Sequence, residues 1–233
     1  MKYFCYLIIA LFLFQSCQSS QNIETIVSTD KGEVEGVYNS ETGVYVYKGI
    51  PFAKAPVGDL RWWAPQPVEE WDSVFDATEF GAICMQSEPA PFSMWTQEFI
   101  APAGNMSEDC LNLNIWTKEG SADAKRPVIV FIHGGGFNSG SGSVPIYDGE
   151  KMAEKNVVFV TLNYRVGVLG LLAHPELTEE SGYDASGNYG LLDQIAALEW
   201  VQNNISNFGG DPDRVTIAGQ SAGSFSVNYL VAS

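Results

Sequence analysis

Val215-Thr216-Ile217-Ala218-Gly219-Gln220-Ser221-Ala222-Gly223 is the stretch on which the reading of this chain turns. A short β-branched and apolar run signals a buried strand. The glycines flanking Ser221 are what a tight strand-to-helix turn needs, one relieving crowding before the serine and the other letting the following helix approach the sheet. Such a turn presents the serine Oγ at a helix N-terminus. Taken alone, these residues fit equally well a glycine-rich turn whose serine merely caps the helix, so the surroundings have to decide.

Immediately upstream, Tyr189 to Asn203 carries apolar residues at Leu191, Leu192, Ile195, Ala196, Leu198 and Val201, a helical spacing. Leu111 to Thr117, Val128 to Ile132 and Val157 to Leu162 read as central strands covered on both faces. Strand, helix, strand and glycine turn in that order make an α/β chain, with a mostly parallel central sheet expected. Thr25 to Ser28, Glu33 to Tyr38 and Val44 to Lys48 predict a small antiparallel entry sheet ahead of it. Residues 51–81 combine four prolines with Trp62, Trp63 and Trp71, and residues 85–107 carry Pro89, Pro91, Trp95 and Phe99. Both predict ordered loops packed by aromatic rings, the second beside a pocket.

At the other end, Met1-Lys2 precedes a nearly continuous apolar run over residues 3–16, followed by Cys17. The run is too short and turns polar too soon for a membrane span, so residues 1–16 are expected to be an export signal. Cys17 is the expected lipid-bearing first mature residue, with 17–23 a short polar tether and the product in a bacterial periplasm or anchored to the outer membrane; ordinary secretion is the alternative. The formal net charge of −16, with no basic cluster, argues against nucleic acid as a partner. Cys84 and Cys110 fit either a disulfide in an oxidising compartment or two buried thiols. His133 and His174 each stand alone in sequence, so no metal site is expected, and no cofactor motif is present.

The second informative motif is His133-Gly134-Gly135-Gly136-Phe137, directly after the strand Val128 to Ile132. Successive glycines at a strand end can turn backbone N–H groups toward one point, the form of an oxyanion hole. A phosphate cradle is the competing reading, but no Gly-Lys-Ser/Thr follows and no Gly-x-Gly-x-x-Gly joins a strand to a helix.

With both motifs in place, the chain resembles the type B carboxylesterase (carboxylesterase/cholinesterase) family over nearly all of residues 24–233. Further stretches carrying the resemblance are Tyr47-Lys48-Gly49-Ile50-Pro51-Phe52-Ala53, Ser107-Glu108-Asp109-Cys110-Leu111-Asn112-Leu113-Asn114, Asn163-Tyr164-Arg165-Val166-Gly167 and Gly187-Asn188-Tyr189-Gly190-Leu191-Leu192-Asp193-Gln194. The resemblance implies an α/β-hydrolase fold, of which residues 24–233 are the N-terminal half, cut after the nucleophile turn. It implies Ser221 as nucleophile and Gly135, Gly136 and the N–H of Ala222 as the oxyanion hole. It also implies a Cys84–Cys110 disulfide and internal ion pairs of Arg61 with Glu108 and Arg165 with Asp193, both expected to be buried. The implied reaction is hydrolysis of a small neutral carboxylic ester through an acyl-serine, with no cofactor.

Two departures bear on substrate. Gln220 stands where cholinesterases carry glutamate, and Ile100 where they carry their choline-binding tryptophan, so a quaternary ammonium substrate is not expected. A third departure is the triad acid and histidine, which follow the serine in the family's chain order and have no counterpart in these 233 residues. Neither His133 nor His174 is expected to replace the histidine. The chain alone is therefore expected to be an inactive fragment with an open sheet edge, and a non-enzymatic binding protein on the same scaffold is the alternative.

Overall fold

A computed structural model describes residues 24–118 and 122–233; the export segment, Cys17 and the tether lie outside the described residues. Among the described residues, eleven strands run in chain order as β1 (Ile26–Ser28), β2 (Glu33–Glu35), β3 (Val37–Asn39), β4 (Val44–Pro51), β5 (Phe75–Asp76), β6 (Ile83–Cys84), β7 (Met106–Ser107), β8 (Asn112–Thr117), β9 (Arg126–Ile132), β10 (Val158–Leu162) and β11 (Gly210–Gly219). The helices are α1 (Glu150–Ala153), α2 (Gly167–Leu171), α3 (Pro175–Glu180), α4 (Tyr189–Asn204) and α5 (Ala222–Ala232).

Six strands form the central sheet in the order β11-β9-β10-β8-β4-β3. Side chains alternate between its faces, so Val128, Val130 and Ile132 of β9 meet Ala197, Trp200 and Val201 of α4 in one core, while Trp116 and Phe159 pack on the opposite face with Ala153 of α1. Every residue of β8 and β10 is buried, as expected of the apolar run of β10, while β8 alternates and buries Asn112, Asn114 and Thr117 as well.

The sheet is mixed rather than mostly parallel. β9 pairs in parallel with β10 and β11, but β8 runs antiparallel to both β10 and β4, and β4 antiparallel to β3. A strand buried on both faces has the same composition in either direction, which is why the direction was not legible. The entry sheet has a different third member from the one expected: β1 and β2 pair antiparallel with β5 added in parallel, and the Val44 strand joins the central sheet instead.

The two loops are ordered as predicted. Trp71 packs against Phe75 and donates Nε1–H to Glu33 O at 2.9 Å, and Trp62 donates to Val168 O at 3.1 Å, although Trp63 is exposed. Cys84 and Cys110 form a disulfide that closes residues 85–109 into a loop. A closure of this length stabilises by about 3 kcal/mol through the entropy removed from the unfolded chain.

Candidate active site

The register of two adjacent strands builds the site. β11 lies parallel to β9 with Gly219 opposite Ile132, so the segments leaving both strands emerge at the same carboxyl end of the sheet. One segment is the triple glycine, the other the turn carrying Ser221.

Close approach dictates the glycines. A Cβ on Gly223 would stand 2.0 Å from Ile132 O, and one on Gly219 would stand 2.4 Å from the carbonyl carbon of Gly223, so neither position admits a side chain. Between them Ser221 adopts φ 52° and ψ −119°, a conformation that costs a non-glycine residue about 1–3 kcal/mol and that strand and helix together enforce. A Cβ on Gly134 would lie 3.0 Å from Ser221 Cβ, which puts the glycine loop directly against the serine. Gly135 and Gly136 both have positive φ, at 109° and 63°. Among the described residues no acceptor takes the backbone N–H of Gly135, Gly136 or Ala222. Three free donors therefore flank the serine, and Ala222 opens α5, where the helix dipole adds to the field.

Gly135, Gly136 and Ser221 border a cavity of about 520 Å³, whose far wall is the disulfide loop with Trp95, Phe99 and Ile100. Trp95 and Phe99 meet edge to face at 5.5 Å, so Trp95 packs within the loop and lines the cavity as well. Gln86 fastens this wall to the glycine loop, accepting from Gly140 N at 2.8 Å and donating to Gly140 O at 2.9 Å.

Neither histidine serves Ser221, whose Oγ has no hydrogen-bond partner among the described residues. His174 is exposed and caps α3, accepting from Glu176 N. His133 is buried, stacked on Tyr164 with ring centroids 4.3 Å apart, and its Nδ1 lies 2.8 Å from Gly134 O, so it props the glycine loop. Burial lowers its pKa to about 4. Between that value and the unfolded value near 6.5 the unfolded chain binds more protons than the native one, so stability is lost as pH falls through this window, by roughly 3 kcal/mol in all. Urea unfolding at pH 7.5 and pH 4.5 should show a loss in the native sequence that exceeds the loss in His133→Gln by about that amount. Equal losses would mean that His133 is not the buried neutral group.

The two ion pairs differ. Arg165 and Asp193 are buried at 3% and 0% side-chain exposure, and Asp193 accepts from Arg165 N, Nε and Nη2 at 2.9, 2.9 and 2.7 Å. Burial pushes the Asp193 carboxyl up while the guanidinium draws it back. Arg61 grips Glu108 through Nε and Nη2 at 2.6 and 2.7 Å, but side-chain exposures of 40% and 24% correct the expectation that this pair is buried. Its hydrogen bonds hold the Glu108 carboxyl below the ordinary carboxylate range.

Sequence reasoning missed Tyr147. Its hydroxyl donates to Gln220 Oε1 at 3.2 Å beside the serine, a meeting of residues 73 positions apart that no local pattern announces.

The carboxylesterase family model matches residues 23–233. Over 205 residues the chain is 50% identical to fumonisin B1 esterase of Sphingopyxis macrogoltabida, covering 88% of this chain and 36% of that protein. It is 47% identical to para-nitrobenzyl esterase of Bacillus subtilis, covering 89% and 40%. Among solved structures, a carboxylesterase of Geobacillus stearothermophilus superposes with a TM-score of 0.76 at 46% identity, covering 90% of this chain and 41% of that one. The chain thus spans less than half the length of these relatives.

Proposed function

Because this chain belongs to the carboxylesterase family, we propose that its residues carry the nucleophile and oxyanion hole of an exported serine hydrolase acting on small neutral carboxylic esters. Ser221 Oγ attacks the ester carbonyl carbon as its proton passes to a histidine base, and the oxyanion that forms accepts from the N–H groups of Gly135, Gly136 and Ala222. Collapse expels the alcohol with a proton returned by that base. Water then adds to the acyl-serine, and the acid leaves with Ser221 restored. The base and its acid come from outside residues 24–233. Export and attachment through lipid on Cys17 belong to the same proposal, resting on the apolar run over residues 3–16.

The observation carrying the reading is the juxtaposition at the ends of β9 and β11: a strained serine packed against a glycine loop, with three unpaired N–H donors beside it. Fixed donors of this kind are worth roughly 3–4 kcal/mol each to an oxyanion.

The test is a fluorophosphonate reaction on the longest polypeptide in which these residues occur, alongside 4-nitrophenyl butanoate hydrolysis. The expected result is one covalent adduct, on the peptide containing Ser221, forming at least about a thousandfold faster than in residues 17–233 alone. Hydrolysis without labelling of Ser221 would refute the mechanism. Equal labelling of the shorter chain would refute an external base.

A further inference from the structure

Gln220 sits in the cavity wall next to Ser221 with its side-chain carbonyl already engaged, since Oε1 accepts from the Tyr147 hydroxyl at 3.2 Å. Room for it exists because Gly134 has no side chain: a Cβ there would stand 2.3 Å from Gln220 Oε1. The backbone of Gln220 is fixed as well, its N–H donating to Ile132 O at 3.3 Å and its carbonyl accepting from Gly223 N at 2.9 Å. Tyr147 is itself held, its ring 4.8 Å from that of Phe131, and burial raises its pKa so that the hydroxyl stays a donor. A tyrosine that donates selects the amide orientation, with oxygen toward Tyr147 and nitrogen away from it. That nitrogen has no acceptor among the described residues and is not among the buried unpaired atoms, so its N–H groups remain available at the cavity.

We propose that Gln220, oriented by Tyr147, is a specificity-determining residue that donates from Nε2 to a second oxygen of the substrate, favouring neutral esters with an ether or carbonyl oxygen close to the scissile group over their hydrocarbon isosteres. The inference rests on the ester-hydrolase reading above. A carboxylate at position 220 presents acceptors only and would repel the same oxygen. An alkyl chain would leave the amide desolvated and unpaired, so one well-placed oxygen is worth about tenfold in kcat/KM. Tyr147 acts through Gln220 and touches no reacting atom, so it is a positioning residue.

The experiment uses the longest polypeptide in which these residues occur and two isosteric pairs. One pair is 4-nitrophenyl methoxyacetate against 4-nitrophenyl butanoate, with the oxygen on the acid side. The other is 2-methoxyethyl benzoate against butyl benzoate, with the oxygen on the alcohol side. Each kcat/KM ratio is divided by the ratio of hydroxide-catalysed rates, which removes intrinsic reactivity, and it does not depend on the fraction of enzyme folded. In one pair the ether ester should lead by about tenfold, and Gln220→Leu and Gln220→Glu should both bring the ratio to near one. Tyr147→Phe should lower it about threefold, through a higher KM for the ether ester rather than a lower kcat. A ratio that Gln220→Leu and Gln220→Glu leave unchanged, or a native ratio near one in both pairs, overturns the inference while hydrolysis itself upholds the ester reading. Hydrolysis of none of the four esters would overturn both.

Discussion

Replacing Ser221 should separate chemistry from fold. In the longest polypeptide that holds these residues, Ser221→Ala should lower ester hydrolysis by on the order of 10⁴- to 10⁶-fold, or about 5–8 kcal/mol of transition-state stabilisation, because no other described residue is placed to form the acyl intermediate. Ser221→Gly should be equally inactive. Their stabilities should differ, since Ser221 is held at φ 52°, where alanine remains strained and glycine does not. Strain relief, offset by the larger unfolded-state entropy of glycine, leaves Ser221→Gly about 1 kcal/mol more stable than Ser221→Ala. Hydrolysis rates and urea midpoints on the same preparations test both statements. Activity retained by either variant would remove Ser221 from the mechanism, and equal stability would show that the turn is not strained.

The largest loss of stability should follow Asp193→Ala. The variant leaves the Arg165 guanidinium buried without its counter-charge, and the same guanidinium reaches Arg61 O and Trp63 O at 2.8 and 2.9 Å, so the damage extends from α4 to the proline-rich loop. The expected cost is about 3–5 kcal/mol, a fall in Tm of about 10 °C for a chain of this size. Asp193→Asn, which retains acceptors, should lose less. The double variant Asp193→Leu with Arg165→Met should lose less than the two single changes added together, because no unpaired charge stays behind. Thermal unfolding followed by circular dichroism of these variants and the two single changes supplies the values, and additivity in the double variant would show that the pair is not coupled. The Arg61–Glu108 pair should show no comparable cost, since both side chains retain solvent.

The contrast between these pairs shows where sequence reading stops. Four residues in recognisable motifs identified both partnerships, yet burial depends on what lies over each pair, and only the folded chain fixes that. The glycine loop followed a similar course. Three consecutive glycines after a buried strand signalled its form, but the contact of Gly134 with Gln220 and Ser221 follows from the register that sets Gly219 opposite Ile132.

What the sequence determined by itself was whatever is encoded within a few residues. The glycine-flanked serine, the glycine loop, the helical spacing that became α4, the alternation of β8 and the apolar runs of β9 and β10 all follow from steric and hydrophobic preferences of adjacent positions. Tertiary structure alone decided strand direction, the transfer of the Val44 strand to the central sheet, the exposure of Arg61, and the meeting of Tyr147 with Gln220. Each of these depends on groups brought together from distant parts of the chain, and such contacts are selected by the packing of the whole sheet, which no local window contains.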